Sequence, residues 1–291
     1  RMGTRGLTAQ AFGKGDNRLM VQVLVQVIEV GLIASVMILM LQSPLKKIAF
    51  ILLDPSVEIQ HYALTYINIL IWGVPAMLVL FGFYGWFIGM QNSRYQMYIA
   101  ISINVVNIAF SFIFVYGFDM KIEGVAWGTL ISNYVGVLIA IALWMKKYGY
   151  LKIFLEIKNS MQLSRMKEFF SVNRDIYLRT LCLIAVTTFF TYSGTQQGEV
   201  TLAVNALLMQ LFTLFSYFMD GFAYAGEALV GRYIGESNKQ SLKSAVKSLF
   251  VWGASLAGVF TLLYIVGGSN FLQLLTDDKD VIAASSSYFY W

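Results

Sequence analysis

With 58% hydrophobic residues and only 13% charged ones across 291 positions, and a mean hydropathy of +0.65, the chain has too little charge for a soluble globular protein. Its 21 Lys and Arg outnumber 16 Asp and Glu. They stand between apolar runs, so the excess reads as a membrane-topology signal and not as a nucleic-acid surface. A single His61 and a single Cys182 exclude an intrachain disulfide and a His/Cys metal cluster, and no phosphate-binding G-x-x-x-x-G-K-[ST] loop is present.

Residues 1–17 read as the end of a helix followed by a Gly-rich basic loop. The first span is expected at 18–42, closed by Pro44, and a partly polar segment follows at 43–60. The second span, 61–89, contains Gly73-Val74-Pro75, where the proline removes a backbone donor and predicts a kink, a possible hinge. A tight turn at 91–94 leads into 95–117, and 119–123 turns the chain into 124–145. Residues 146–175 form the longest polar stretch, expected as an inter-lobe linker with an interfacial amphipathic helix. Further spans are expected at 176–193, 201–222 with an extension to 234, and 244–267, with the start of another near 281. The chain reads as a fragment, cut at both ends.

Sorting basic residues by alternate loops leaves only Lys46, Lys47, Lys121 and Lys279 on one side, so 17 of the 21 lie on the other. The positive-inside rule makes that richer side cytoplasmic. A wrong span count would scramble this asymmetry, and the chain also contains an internal repeat. LTAQAFGKGDN at 7–17 resembles LVGRYIGESNK at 229–239 at a shift of 222, and the same shift lays Gly31 over Gly253. Both copies enter from the same side, so the repeat is parallel, a plan in which transporters place substrate cavities near the midplane.

The 95–117 helix, YQMYIAISINVVNIAFSFIFVYG, is long enough to cross a bilayer, since roughly 20 apolar residues at about 1.5 Å each span about 30 Å. It carries Asn104, Asn107 and Ser111 at i, i+3 and i+7, which places all three on one face. Amides in hydrocarbon need partners. This face therefore either glues neighbouring helices together or lines a transport cavity. Thr129 and Asn133, four apart on the next helix, could complete the cavity wall. Intramembrane acids are functional candidates by default. Glu29 is the deepest, and Asp220 precedes Gly221 near a helix end. Glu227, beside Arg232, reads as an interfacial charge. Trp144, Tyr148 and Trp252 are expected in interfacial belts, while Tyr116 and Phe112 could offer ring faces to a cation.

Four blocks carry a resemblance to a known family: WGVPAMLVLFGFYGWFIGMQNSRYQM at 72–97, NVVNIAFSFIFVYGFDMKIEGVAWGTLISNY at 104–134, NRDIYLRTLCL at 173–183, and NALLMQLFTLFSYFMDGFAYAGEALVGRYIG at 205–235. The sequence resembles the multidrug and toxic compound extrusion (MATE) transporters, within their DinF-like branch. The resemblance implies an all-α polytopic membrane bundle of two parallel-repeat six-helix lobes, truncated here. Its parts would be an amino-terminal lobe at 1–145, a cytoplasmic linker at 146–175 and a carboxy-terminal lobe at 176–291. It implies a cation-coupled (H⁺ or Na⁺) antiporter exporting organic, often cationic, compounds by alternating access from a bacterial cytoplasmic membrane. No cofactor, no enzyme activity, no nucleic-acid partner and a monomer are expected with it. Asn107 matches the family's fifth-helix Asn and Thr129 its sixth-helix Thr. Ser111 stands where the family has an Asp, so one proton carrier is replaced by a hydroxyl that can still help coordinate a hard cation. Asp220 matches an Asp typical of the branch, implying a coupling or gating role. The competing functions are a lipid-linked oligosaccharide flippase of related plan, which would need a basic central cavity, and a membrane-embedded enzyme, which would need a clustered catalytic set at one membrane face.

Overall fold

The computed structural model describes residues 2–53, 57–155, 163–195, 199–276, 281, 282 and 285. Every regular element among them is helical: α1 (Met2–Lys14), α2 (Asn17–Met40), α3 (Gln42–Leu53), α4 (Val57–Leu70), α5 (Val74–Gly89), α6 (Ser93–Phe112), α7 (Ile122–Tyr148), α8 (Leu163–Thr195), α9 (Glu199–Gly235) and α10 (Lys239–Leu275). Six stretches among the described residues are long and apolar enough to cross a membrane: Asn17–Met40, Val57–Gly89, Ser93–Gly117, Ile122–Phe154, Ala203–Gly235 and Lys239–Gly267. They coincide with six of the expected spans. The one expected at 176–193 falls within α8, which is not among the six. The start expected near 281 lies almost wholly outside the described residues.

The kink expected at Pro75 is a break in the helix. A 3-10 turn, Ile71–Gly73, separates α4 from α5, and Pro75 sits in the first turn of α5, where its missing N–H costs no hydrogen bond. The Tyr134 hydroxyl, from α7, donates to the Trp72 carbonyl at 2.8 Å and so satisfies an acceptor in this elbow. Most of helix α3 falls in the segment expected as partly polar at 43–60. Lys46 there donates to Gln42 at 3.0 Å and to Asn68 of α4 at 2.5 Å. Residues 156–162 of the expected linker lie outside the described residues. From Leu163 one continuous helix passes the expected linker boundary at 175 and runs to Thr195.

The chain forms two compact units, Arg1–Lys167 with Gly231–Ser237, and Glu168–Val230 with Asn238–Trp291. In the first unit α2 and α5 pack on each other and on α1, and α6 pairs with α7. The core sits where α1, α5 and α7 end and α2 begins. Trp86 is wholly buried and donates its indole N–H to the Met20 carbonyl at 2.8 Å. Its ring meets Tyr148 edge-on at 4.9 Å, and Phe87 meets Tyr95 at 5.4 Å. Asn92, in the α5–α6 turn, donates to the Tyr148 hydroxyl at 3.3 Å and ties that turn to the end of α7. Trp144 and Tyr148 therefore do not form an exposed belt. Both are buried against protein, because the core of this unit extends to the end of α7. Apolar side chains elsewhere face outward, among them Val105, Ile108 and Leu138, as a hydrocarbon solvent requires.

The α6–α7 pair is held by a ladder of small residues. Gly124, Gly128, Ser132, Gly136 and Ala140 recur every four positions and all are buried. A Cβ on Gly136 would strike Ile103, one on Gly128 would strike Ser111, and one on Gly124 would press on Phe114. Small residues at such spacing let two backbones approach and gain dispersion contacts, the main cohesive force between helices in lipid.

In the second unit α9 and α10 pack through Phe215, Phe218 and Phe260, with centroids at 5.4 and 5.1 Å from Phe260. The Tyr264 hydroxyl donates to the Leu211 carbonyl at 2.8 Å.

The internal repeat is visible atom by atom. Gly15 N–H donates to Phe12 O at 3.0 Å, and 222 residues on Ser237 N–H donates to Ile234 O at 3.0 Å. Gly15 and Ser237 both have positive φ, +68° and +55°. Asp16 then caps α2 by accepting from Leu19 N–H at 2.9 Å, as Asn238 caps α10 by accepting from Ser241 N–H at 3.0 Å. The helices that follow begin at Asn17 and Lys239, again at the same shift.

Candidate functional site

The polar seam read on α6 resolves into two parts. Ile103, Asn107, Ser111 and Phe114 form the line along which α6 meets α7. Asn107 donates its amide to the Thr129 hydroxyl at 2.9 Å, and Thr129 in turn donates to the Val125 carbonyl at 3.0 Å. Ser111 lies against Gly128, and its hydroxyl is shielded from solvent without a hydrogen-bond partner. An unmet buried hydroxyl costs about 1–3 kcal/mol. Two residues after Ser111 the α-helix gives way to one π turn, Ile113–Gly117, and the Ile113 N–H bonds both Ala109 O and Phe110 O. Such wide turns are frequent at functional positions in helices.

Asn104 does not share that line. It stands one residue round the helix from Ile103, is exposed, and donates back to the Ala100 carbonyl at 2.9 Å. The expectation that all three polar side chains look one way treats the seam as a straight stripe, whereas a packed partner follows the line through 103, 107 and 111. Asn133 lies one turn along α7 from Thr129 and approaches Gly73 in the α4–α5 elbow, its amide nitrogen 3.7 Å from where a Gly73 Cβ would stand. Asn107 and Thr129 thus meet directly, and Ser111 sits one turn along α6 against Gly128. Asn133 lies beside the elbow that Pro75 follows.

The acids lie elsewhere. Glu29 is half-buried on α2 and engaged by a neighbour. Asp220 is exposed on α9 and accepts from the Tyr224 hydroxyl one turn on, at 3.2 Å. Arg232 pairs with Glu236 at 2.7 Å. Phe112 and Tyr116 pair their rings at 4.6 Å and both remain exposed. No cluster of three or more His, Cys, Asp or Glu that could hold a metal occurs among the described residues. What the α6–α7 crossing provides is oxygen: one amide and two hydroxyls in an apolar setting, suited to orienting a hydrogen bond or completing the shell of a hard cation.

The small-residue ladder on α7 escaped the sequence reading. Its signal was available as G-x-x-x-G-x-x-x-S-x-x-x-G-x-x-x-A at 124–140. It marks the face of α7 that packs against α6.

The sequence model of the MatE family matches residues 1–113 and 176–291. Over 291 residues the chain is 30% identical to DNA damage-inducible protein F of Escherichia coli (strain K12), covering all of this chain and 63% of that protein. It is 24% identical over 228 residues to a probable multidrug resistance protein NorM of Photorhabdus laumondii subsp. laumondii, covering 75% of this chain and 49% of the relative. Among solved structures, the outward-facing conformation of a multidrug resistance MATE family transporter superposes with a TM-score of 0.86 at 21% identity, over 99% of this chain and 64% of that one. A MATE structure in the bent conformation gives 0.87 at 22% identity, over 98% and 64%. The chain thus spans less than two thirds of the length of these relatives. Its family match extends over both copies of the repeated corner, and the chain belongs to the MatE family of multidrug and toxic compound extrusion transporters.

Proposed function

We propose that the chain is the larger part of a cation-coupled secondary antiporter that exports organic, often cationic, compounds by alternating access across a bacterial cytoplasmic membrane. The observation carrying this reading is the Asn107–Thr129 hydrogen bond beside the unmet Ser111 hydroxyl, inside two helices of bilayer length. A pair built only to glue helices would spend its polar capacity on each other. Here one hydroxyl is held in reserve next to a π turn, with the Asn107 carbonyl oxygen as a second candidate acceptor for a cation. Asn133, Pro75 and the elbow would form the adjoining wall, with Asn104 at its edge. Glu29 and Asp220 would act as coupling or gating acids reached from other helices.

The test uses the full-length protein in inside-out vesicles. Uptake of a fluorescent organic cation is followed under an imposed ΔpH and then under a Na⁺ gradient, with Asn107→Ala and Ser111→Ala alongside. The expected result is gradient-driven uptake that falls at least tenfold in Asn107→Ala, in the range of about 1–3 kcal/mol for a buried polar group left unsatisfied. Na⁺ dependence lost in Ser111→Ala assigns the hydroxyl to the ion. Uptake indifferent to both gradients overturns the antiporter.

A further inference from the structure

The carboxy-terminal end of α7 and the 3-10 turn that follows it, Gly149–Phe154, enclose a pocket of about 660 Å³ that the transport reading does not use. That is within the range of small-ligand sites, about 300–1,000 Å³. Its wall contains Lys146, Lys147 and Lys152, no acidic residue among those described, and the apolar side chains of Met145, Tyr150 and Leu155. Lys147 is accounted for by the protein itself, since its ammonium lies 5.5 Å from the ring centres of both Tyr95 and Tyr148. Lys146 and Lys152 have no such partner among the described residues. Trp144, only 8% exposed, forms the inner wall, and its indole N–H meets no acceptor in the protein.

The position narrows what could fill it. The pocket lies at the end of a bilayer-length span, on the side holding 17 of the 21 basic residues, which the positive-inside rule assigns to the cytoplasm. Met145 and Tyr150 are 63% and 61% exposed, so the pocket's rim is open and apolar beside its charges. A soluble anion has no use for such a rim. A lipid, with a phosphate at one end and hydrocarbon at the other, matches both.

We propose that this pocket binds the phosphate headgroup of an anionic phospholipid, with Lys146 and Lys152 on the phosphate and Met145, Tyr150 and Leu155 along the glycerol and upper acyl chains. Trp144 supplies a further donor once the indole turns toward the ligand. Basic pockets on the cytoplasmic side of membrane helices are suited to such headgroups, and each lysine near an anionic surface contributes roughly fivefold in affinity. The site is independent of the α6–α7 crossing, so it stands or falls apart from the transport reading.

The experiment is native mass spectrometry of the delipidated full-length protein, titrated separately with phosphatidylglycerol, phosphatidylcholine and inorganic phosphate. The double variant K146Q/K152Q is compared with K239Q/K243Q, a pair also exposed and on the same membrane side but outside the pocket. All four side chains are exposed, so unchanged melting midpoints accompany both. Phosphatidylglycerol should bind the pocket variant about 25-fold more weakly and the control pair as the wild type, with phosphatidylcholine weak throughout. Trp144→Phe keeps the ring and should weaken binding a few-fold. Wild-type retention in K146Q/K152Q, or an equal loss in the control pair, overturns the site. Inorganic phosphate that displaces the lipid at comparable concentration overturns the lipid as its occupant and makes it a free-anion site.

Discussion

The α1–α2 corner and the α9–α10 corner adopt one geometry from different residues. Each ends a helix with a backbone N–H to O bond of 3.0 Å, places one residue at positive φ, and starts the next helix under an Asx cap. Around them, Gly13 sits where a Cβ would strike the Arg232 carbonyl, and Gly235 where one would strike the Gln10 carbonyl. Positions 10 and 232 are themselves related by the 222 shift. Contact and counter-contact therefore exchange roles, as they do across a two-fold axis. The copies differ in that the first uses Gly15 where the second uses Ser237, and Asp16 where the second uses Asn238. Geometry has been kept while identity drifted. Gly13 and Gly235, identical in both copies, stand where backbone meets backbone.

The sharpest way to break the comparison is at that crossing. Gly13→Ala and Gly235→Ala each place a methyl on a carbonyl oxygen, and backbone cannot swing aside as a side chain can. Each should cost about 2–3 kcal/mol, the upper range for overpacking, read as a lowered melting midpoint of the full-length protein in detergent. Gly6→Ala on the same helix is the control, since nothing lies within 4 Å of its Cβ position. It should be neutral or slightly stabilising through helix propensity. Equal losses at Gly6 and Gly13 would mean that the crossing is not what these glycines serve.

Gly15→Ala comes next. At φ +68° an alanine incurs left-handed strain of about 1–2 kcal/mol, although space around it is open. The caps follow. Asp16→Ala and Asn238→Ala should each cost about 1 kcal/mol. Only Asp16 carries charge into the helix N-terminus, so Asp16→Asn should cost a few tenths of a kcal/mol at low salt and nothing at high salt. A melting series in NaCl checks this, and a salt-independent loss would point to the hydrogen bond alone.

Much of this was legible without coordinates because lipid imposes length and hydropathy on each span. Apolar runs bounded by basic turns at Arg18, Arg94 and Lys146 leave few alternatives, and Pro75 after Gly73 marks a helix start or a kink. The family resemblance placed Asn107 and Thr129 on the lining of one cavity, and the structure adds the hydrogen bond between them. What periodicity alone left open was whether Asn104 joins the packed line, because helical spacing says which residues share a face and not which line on that face a crossing neighbour follows. Trp144 and Tyr148 were read as belt residues for a similar reason. An aromatic near a span end packs inward or outward with the same sequence signature, and only Asn92 and Trp86, brought from distant positions, decide it. The α7 ladder of small residues was on the page in sequence. It reads as helix glue only once its partner helix is known.

The smallest effect tests the drift itself. Ser237 holds φ +55° without being glycine, so the second corner carries strain that the first does not. Ser237→Gly should relieve about 1 kcal/mol of it. Glycine also loosens the unfolded chain, which returns about half of that. A net gain of roughly 0.5 kcal/mol should remain, and it should be absent when Gly15→Ser is measured in the mirrored position, where the change should instead destabilise. Opposite signs at the two positions would show that both corners obey one backbone rule. A loss on Ser237→Gly would mean that the serine side chain does something the glycine of the first corner never had to, and the two copies would then have diverged in function as well as in sequence.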